Sequence, residues 1–410
     1  MVRRPDVAVT GLGLVTAAGI GTAASWAGVC SGASAAARNP ELAGLPVDIS
    51  CTVPDFSPNK LVGKRASLIY DRFVQMAIVA AREAVADSGL DPATWDGARV
   101  GVVLGCGMGG LRSYDQQHKR MHEVGPQAVS ALLIPMMIPN MAAGHLALQF
   151  GATGPNFVTA TACASGATAI GCALGLLRDG TCDVVITGGT EAGVLPVVTT
   201  GFAQMGALST KRLDAPQTAS RPFDADRDGF VIGEGSGILV LERAEHARAR
   251  GARVHARLAG YGASDDAHHI TAPDPEGVGV TRALTAALAD AGVSPADVDH
   301  VNAHGTSTPL NDAAEARVLR RLIGDRAAVT STKGVVGHTL GAAGAIEAVF
   351  SVLAVEHSTV PPTANLEHQD PEIDLDVVSG AAREHKSNVA VSNSFGFGGQ
   401  NAVLVFTSAA

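Results

Sequence analysis

From Ala164 to Leu177 every residue is small or apolar, so a helix formed there has no polar face to turn toward water. Such a helix needs other elements to cover it on all sides. Arg178, Asp179 and Gly180 then mark its exit from the interior. Cys163 stands immediately before it, where unpaired backbone N–H groups and the positive end of the helix dipole favour a thiolate.

The chain has room for such an interior. Its 410 residues suffice for two large, closely packed halves, and 46% hydrophobic against 17% charged residues predicts an extensive core. Forty-eight glycines, scattered between apolar runs, point to tight turns and close backbone approaches rather than low complexity. A net charge of -9 argues against nucleic acid as a partner, because phosphate contacts need a basic surface. The apolar runs read as shorter than the roughly 18 residues of a membrane span. The opening MVRRPDVAVTGLG lacks the apolar core and cleavage site of a signal peptide. Six dispersed cysteines without a CxxC pair suggest neither a disulfide framework nor a zinc site. The expectation is a reduced cytoplasmic enzyme that holds no metal and binds neither membrane nor nucleic acid.

Hydrophobic periodicity predicts strands over 7–11, 99–104, 182–188, 237–242, 254–258 and 300–303, and helices over 73–88 and 280–291. Alternation of strands and helices implies a layered α/β architecture. Two echoes suggest a duplication, with halves covering 1–250 and 251–410. SGATAI at Ser165 resembles GAAGAI at Gly341, and VLGCGMGG at Val103 resembles NSFGFGG at Asn393.

Two histidines stand in similar settings. His304 lies in VNAHGTSTPLND, directly after a strand and among small hydroxyl residues. His338 lies in STKGVVGHTLGAAGAIEA, between a glycine and a second run of small residues. Each alone reads as well as a satisfied core histidine, and Cys163 alone reads as well as a small buried cysteine, which is the reading for Cys172. Glycine beside each histidine, however, lets a bulky substrate arm approach the backbone. Glu347 falls within the otherwise apolar GAAGAIEAVFSVLAV. A buried carboxylate needs a cation nearby, and Lys333 is the candidate.

These motifs, in this order, resemble the β-ketoacyl-[acyl carrier protein] synthases of elongating type, within the thiolase-like superfamily. The likeness runs from VAVTGLGLVTAAG through TACASG, SRPFDADRDGFVIGEG, NAHGTSTPLND and STKGVVGHTLGAAGA to NSFGFGGQNAVLVF. It implies a five-layered αβαβα fold of two similar halves. It further implies that Cys163, His304 and His338 form a catalytic triad, with backbone N–H groups of Cys163 and Phe397 binding an oxyanion. Lys333, Glu347 and Asp312 fall on positions that organise the histidines. Thr306 and Thr308 match hydroxyls that bind a pantetheine arm, and Phe397 also matches a gating residue. Phe395, Met108, Leu133 and Met137 fall on the substrate-binding side, the last three as an apolar lining for the acyl chain. The implied reaction is decarboxylative condensation of an acyl-cysteine with malonyl-[acyl carrier protein], in fatty acid or type II polyketide synthesis, with no cofactor. The implied partners are acyl- and malonyl-loaded carrier protein and either a second copy or a chain-length-factor-like subunit.

Other patterns invite other readings. Asp224, Asp226, Asp228 and Gly229 open like a calcium loop, but Gly235 occupies the twelfth position, so a polar turn before a strand is the better reading. The glycines near Gly11 and Gly105 lack the full spacing and acidic residue of a dinucleotide site. His118 and His122 lie one helical turn apart without the glutamate of a zinc protease helix, and read as a solvated face. A coenzyme A thiolase would need a second reactive cysteine near the C-terminus, and none follows Cys182. A non-catalytic chain-length-factor-like subunit would not need all three of Cys163, His304 and His338. Carrier proteins are acidic, and Lys60, Lys64, Arg65 and Lys211 are candidates to attract them. Leu68, Ile69, Gln127, Ala128 and Gly206 stand where bacterial fatty-acid relatives often carry basic residues, which suggests a dedicated carrier protein of a specialised polyketide pathway.

Overall fold

A computed structural model describes residues 5–409; Arg3 and Arg4 of the opening segment lie outside them. Among the described residues eleven strands form one continuous sheet; Gly19–Ile20 is a short strand paired only to the first, and the other ten make two wings that repeat each other. The first wing contains β1 (Val7–Thr16), β2 (Val100–Gly105), β3 (Asn156–Thr159), β4 (Val184–Glu191) and β5 (Gly235–Arg243). The second contains β6 (Ala256–Asp265), β7 (His300–Asn302), β8 (Ala328–Thr330), β9 (Val389–Gly396) and β10 (Gln400–Ser408). From the centre outward the wings run β1, β5, β4, β2, β3 and β6, β10, β9, β7, β8, joined through the antiparallel pair of β1 and β6. Strand directions repeat as well. β2 is parallel to β3 and β4, β7 is parallel to β8 and β9, and the remaining neighbours are antiparallel.

Six helices complete the layers: α1 (Arg72–Ser88), α2 (Met141–Phe150), α3 (Ser165–Arg178), α4 (Val278–Ala291), α5 (Pro309–Leu322) and α6 (Ala343–His357). α1 and α2 pack against the outer face of the first wing, and α4 and α5 against the outer face of the second. α3 and α6 lie between the wings and share one core with strands of both. The result is the five-layered α/β fold of two similar halves. Local chemistry sets the helix ends. The Asp71 carboxylate accepts the N–H of Phe73 at the start of α1, and Gly89, at φ 68°, ends it in the left-handed region where a side chain is strained.

The small residues of the central helices have a steric reason. A Cβ on Gly166 of α3 would lie 2.7 Å from the Ala345 nitrogen of α6, and one on Gly344 would lie 2.9 Å from that of Ala167. SGATAI and GAAGAI therefore occupy equivalent places in the two halves and meet at the contact. The second echo does not hold. VLGCGMGG runs out of β2, whose counterpart is β7, whereas NSFGFGG runs along β9, whose counterpart is β4.

Two further expectations are corrected. α3 is not covered on every side: Thr168, Cys172 and Leu176 are half-buried and Gly175 is exposed, one stripe left open on its surface. An apolar run of span length does exist, Leu340–His357, but 89% of it is buried inside the protein, as the core helix α6 and the turn before it.

Candidate active site

Cys163 sits on a tight helical turn at 162–164 that leads from β3 into α3. The turn forces Ala162 to φ 47°, a strained value for a residue with a Cβ. Ser165 holds it in place, accepting the Thr161 N–H at 2.9 Å and donating its hydroxyl to the Ala162 carbonyl at 2.6 Å. Gly396, at the end of β9, closes over the same turn; a Cβ there would lie 2.5 Å from the Thr161 oxygen and 3.3 Å from the Cys163 nitrogen. Absence of that Cβ brings the next residue, Phe397, close enough for its N–H to hydrogen bond to the Cys163 thiol.

The two histidines come from the second half. His304 follows β7, and its backbone N–H and that of Gly305 are both taken by the Glu315 carboxylate of α5, at 2.8 Å each. His338 is threaded beside 231–233, donating its N–H to the Val231 carbonyl and accepting the Gly233 N–H on its own. The rings lie 5.4 Å apart, nearly perpendicular. Nδ1 of His338 accepts the backbone N–H of Leu340 at 3.3 Å, and Nδ1 of His304 faces Nζ of Lys333 at 3.5 Å. With both Nδ1 atoms facing donors, each ring carries its proton on Nε2. Burial lowers both histidine pKa values well below the usual range, and Lys333 lowers them further, so both rings are neutral.

The expected partnership of Lys333 and Glu347 is present: Nζ of Lys333 is hydrogen bonded to Glu347 Oε1, and both side chains are buried. Burial pushes the Glu347 carboxyl up to about 7, with Lys333 pulling the other way. The Cys163 thiol is likewise pushed up by burial to about 11, against the opposing pull of Lys333 and the Phe397 N–H. This differs from the thiolate that its place before α3 suggests. The turn leaves Cys163 only 8% exposed, and loss of water outweighs the favourable field.

Cys163, His304, His338, Thr306, Thr308, Phe395 and Phe397 line one cleft of about 360 Å³. The Thr306 and Thr308 hydroxyls are 2.9 Å apart, and the Phe395 ring packs 5.3 Å from His304. Asp312 does not reach the rings. Its carboxylate accepts the Phe223 N–H at 3.0 Å and faces Arg227, so it braces the loop beneath Ser307. Met108 packs in the same cluster as Cys163 and Leu340, behind the nucleophile. Leu133 and Met137 belong to a short surface helix, Leu133–Met137, and are half-buried outside the cleft. Two buried carboxylates beside the site residues were not anticipated: Glu315, three residues beyond Asp312 in α5, and Glu191 at the end of β4. A lone carboxylate in the apolar pattern TGGTEAGVL is a sequence signal for the second.

The tempting alternatives dissolve into turns. Asp224 accepts N–H groups of Glu367 and His368 and pairs with Arg221, while Asp228 caps Ser209, Thr210 and Lys211. The exposed His118 and His122 rings face each other at 3.1 Å between Nε2 atoms.

The beta-ketoacyl synthase N-terminal domain family matches residues 4–247 and its C-terminal domain family matches residues 255–367. The chain is 44% identical over 411 residues to the 3-oxoacyl-[acyl-carrier-protein] synthase 2 of Staphylococcus aureus (strain COL), covering 99% of each. It is 46% identical over 407 residues to the synthase of the same description from Synechocystis sp., covering 98% of this chain and 97% of the relative. Among solved structures it is similar to the ishigamide ketosynthase/chain length factor, with TM-score 0.92, 34% identity and full coverage of both chains. A type II PKS acyl-carrier protein in complex with its ketosynthase bound to the hexaketide matches with TM-score 0.93 and 32% identity, again over both chains in full. Matched along nearly its whole length, the chain belongs to the β-ketoacyl synthase family and is an acyltransferase of the 3-oxoacyl-[acyl carrier protein] synthase type.

Proposed function

We propose that Cys163 holds an acyl chain as a thioester and that the two histidines generate its attacker from malonyl-[acyl carrier protein]. In the first half-reaction the Cys163 sulfur attacks the acyl thioester, the acyl group moves to it, and the carrier leaves as a thiol with the proton that Cys163 gives up. The extended carrier arm passes Thr306 and Thr308. In the second, the malonyl carboxylate leaves as carbon dioxide, and its electron pair forms an enolate with charge on the thioester oxygen. Nε2–H of His304 and of His338 donate to that oxygen. The enolate carbon attacks the acyl-cysteine, the N–H groups of Cys163 and Phe397 hold the oxyanion, and its collapse expels Cys163 as a thiolate, which takes a proton from water to restore the resting thiol.

The observation that carries this assignment is the pair of neutral rings, each with Nδ1 facing a donor, lining one cleft with Cys163. Neutral Nε2–H donors stabilise a developing negative charge without taking part in proton transfer. Intact-mass measurement after exposure to acyl-loaded carrier proteins tests it. An adduct on the wild type that is absent from Cys163→Ala supports the assignment; no adduct from any donor sinks it.

Assembly with a second subunit, either another copy or a chain-length-factor-like relative, is part of the proposal. Among the described residues β3 is hydrogen bonded to β2 alone, leaving one sheet edge open, whereas the other end of the sheet, β8, is bridged at Val329 by Val377. Beside the open edge lies the uncovered stripe of α3, with Leu148, Leu132 and Ile134 exposed at 79%, 43% and 56%. The carrier protein we assign to this enzyme is a dedicated one. Leu68, at 77% exposure, presents an apolar side chain where an acidic partner of the usual kind would be drawn by a base. Equal elongation rates on a housekeeping fatty-acid carrier and on a pathway-specific one would overturn this.

A further inference from the structure

Glu191 is fully buried near Cys163 and has no part in the chemistry above. It ends β4, and its carboxylate collects backbone donors from two separate turns. Oε2 accepts the Gly107 N–H at 2.7 Å and Oε1 accepts the Met108 N–H at 3.2 Å, both from the turn that follows β2. Gly341, in the turn that opens α6, also faces this carboxylate, and its N–H lowers the Glu191 pKa. The Cys106 thiol lies 3.5 Å from Oε1. The two glycines permit this convergence. A Cβ on Gly107 would come 2.9 Å from Oε2, and a Cβ on Gly341 would come 2.5 Å from the same oxygen and 2.6 Å from the Gly107 nitrogen.

Each turn carries a residue of the site. The first places Met108, and the second places Leu340, whose N–H orients His338. Met108 and Leu340 meet behind Cys163: a Cβ on Gly193 would lie 2.7 Å from the terminal methyl of each. We propose that Glu191 is a positioning residue that sets the acyl side of the Cys163 site, fixing Met108 against Leu340 by holding the two turns to one carboxylate. The inference rests on the reading of Cys163 as the acyl carrier. A purely packing role would ask only for an apolar group of similar size. Two N–H groups bonded to the carboxylate, with that of Gly341 facing it, instead ask for an acceptor, and leaving them bare in the interior is costly.

The test compares wild type with Glu191→Gln, whose amide keeps the shape but puts a donor where an acceptor stood. Acylation of Cys163 is followed by intact mass over a series of carrier-bound acyl chains, beside the melting temperature. The expected result is a change of about tenfold in the ratio of kcat/KM between the shortest and longest donors, since one methylene's worth of pocket moves rates by that order. Equal loss on all donors, tracking the melting temperature, or no change at all overturns the proposal. Should Glu191→Gln fail to fold, amide exchange of the wild type decides. Gly107, Met108 and Gly341 exchanging at one common rate supports the clasp; independent rates overturn it. No adduct on the wild type from any donor defeats the reading of Cys163 itself and the inference with it, a result distinct from an unchanged chain-length ratio.

Discussion

Nζ of Lys333 sits between Glu347 Oε1 and Nδ1 of His304, 3.5 Å from the latter, so one buried amine both pairs with one oxygen of a buried carboxylate and faces the unprotonated nitrogen of a histidine ring. Structure and chemistry thus depend on the same atom, and they can be separated.

Lys333→Ala leaves Glu347 without its cation. Breaking a buried pair from one side destabilises by about 3–5 kcal/mol. Adding Glu347→Gln should restore most of that stability by replacing a carboxyl that must take up a proton to stay buried without Lys333. Malonyl decarboxylation should remain depressed by about a hundredfold in both variants, because His304 has lost the group that fixes its tautomer. Recovery of decarboxylation together with stability in the double variant would show that Lys333 acts only on the fold.

Decarboxylation should show no histidine titration between pH 8 and pH 5.5. Both rings keep their neutral form well below the ordinary histidine range, because burial and Lys333 disfavour the imidazolium. A rate that falls away with a midpoint near 6.5, an unperturbed histidine value, contradicts the neutral-donor role.

The resting thiol of Cys163, at about 11, is protonated at neutral pH. Its alkylation by iodoacetamide should therefore rise about tenfold per pH step up to roughly pH 10, since the thiolate is the nucleophile. Lys333→Ala should slow it further at every pH, because Lys333 is one of the groups that lower this pKa. A reaction already at its plateau at pH 8 would mean that the helix field outweighs burial.

Away from the site, His255 bridges the Asp87 and Glu356 carboxylates at 2.8 Å each. Burial pulls its pKa down, but the two carboxylates outweigh that and raise it to about 9. A base raised in the folded state contributes stability fully below its unfolded value near 6.5, and loses it as pH climbs through 9. Denaturant unfolding at pH 6 and pH 9.5 should show wild type losing about 3 kcal/mol more than His255→Gln. Parallel losses would show that the bridge does not control the titration.

Gly344→Val should destabilise by more than about 3 kcal/mol, measured by denaturant unfolding, because its Cβ would press on the Ala167 backbone of α3 and neither helix can withdraw from between two sheet wings. A loss below 1 kcal/mol would mean that the two central helices separate easily.

Local sequence determined a good deal here. The apolar helix after Cys163, the capped helix from Arg72 to Ser88 and the strand ending before His304 are set by short-range periodicity and by glycine at positive φ, and each lies where those signals place it. The pairing of Lys333 with Glu347 followed from the cost of a buried charge, which leaves the carboxylate few choices. What periodicity cannot carry is how turns far apart in the chain meet. That VLGCGMGG and NSFGFGG occupy different places in the two halves depends on strand order, a property of the assembled sheet. The open stripe on α3 depends on where its covering layer ends. The protonation of Cys163 depends on how much water the closing turn at Gly396 removes, and the role of Glu191 on which amides arrive around it. Those are decided only when the two wings close on the central helices, because burial and convergence are properties of the neighbours a residue finds and not of the residue itself.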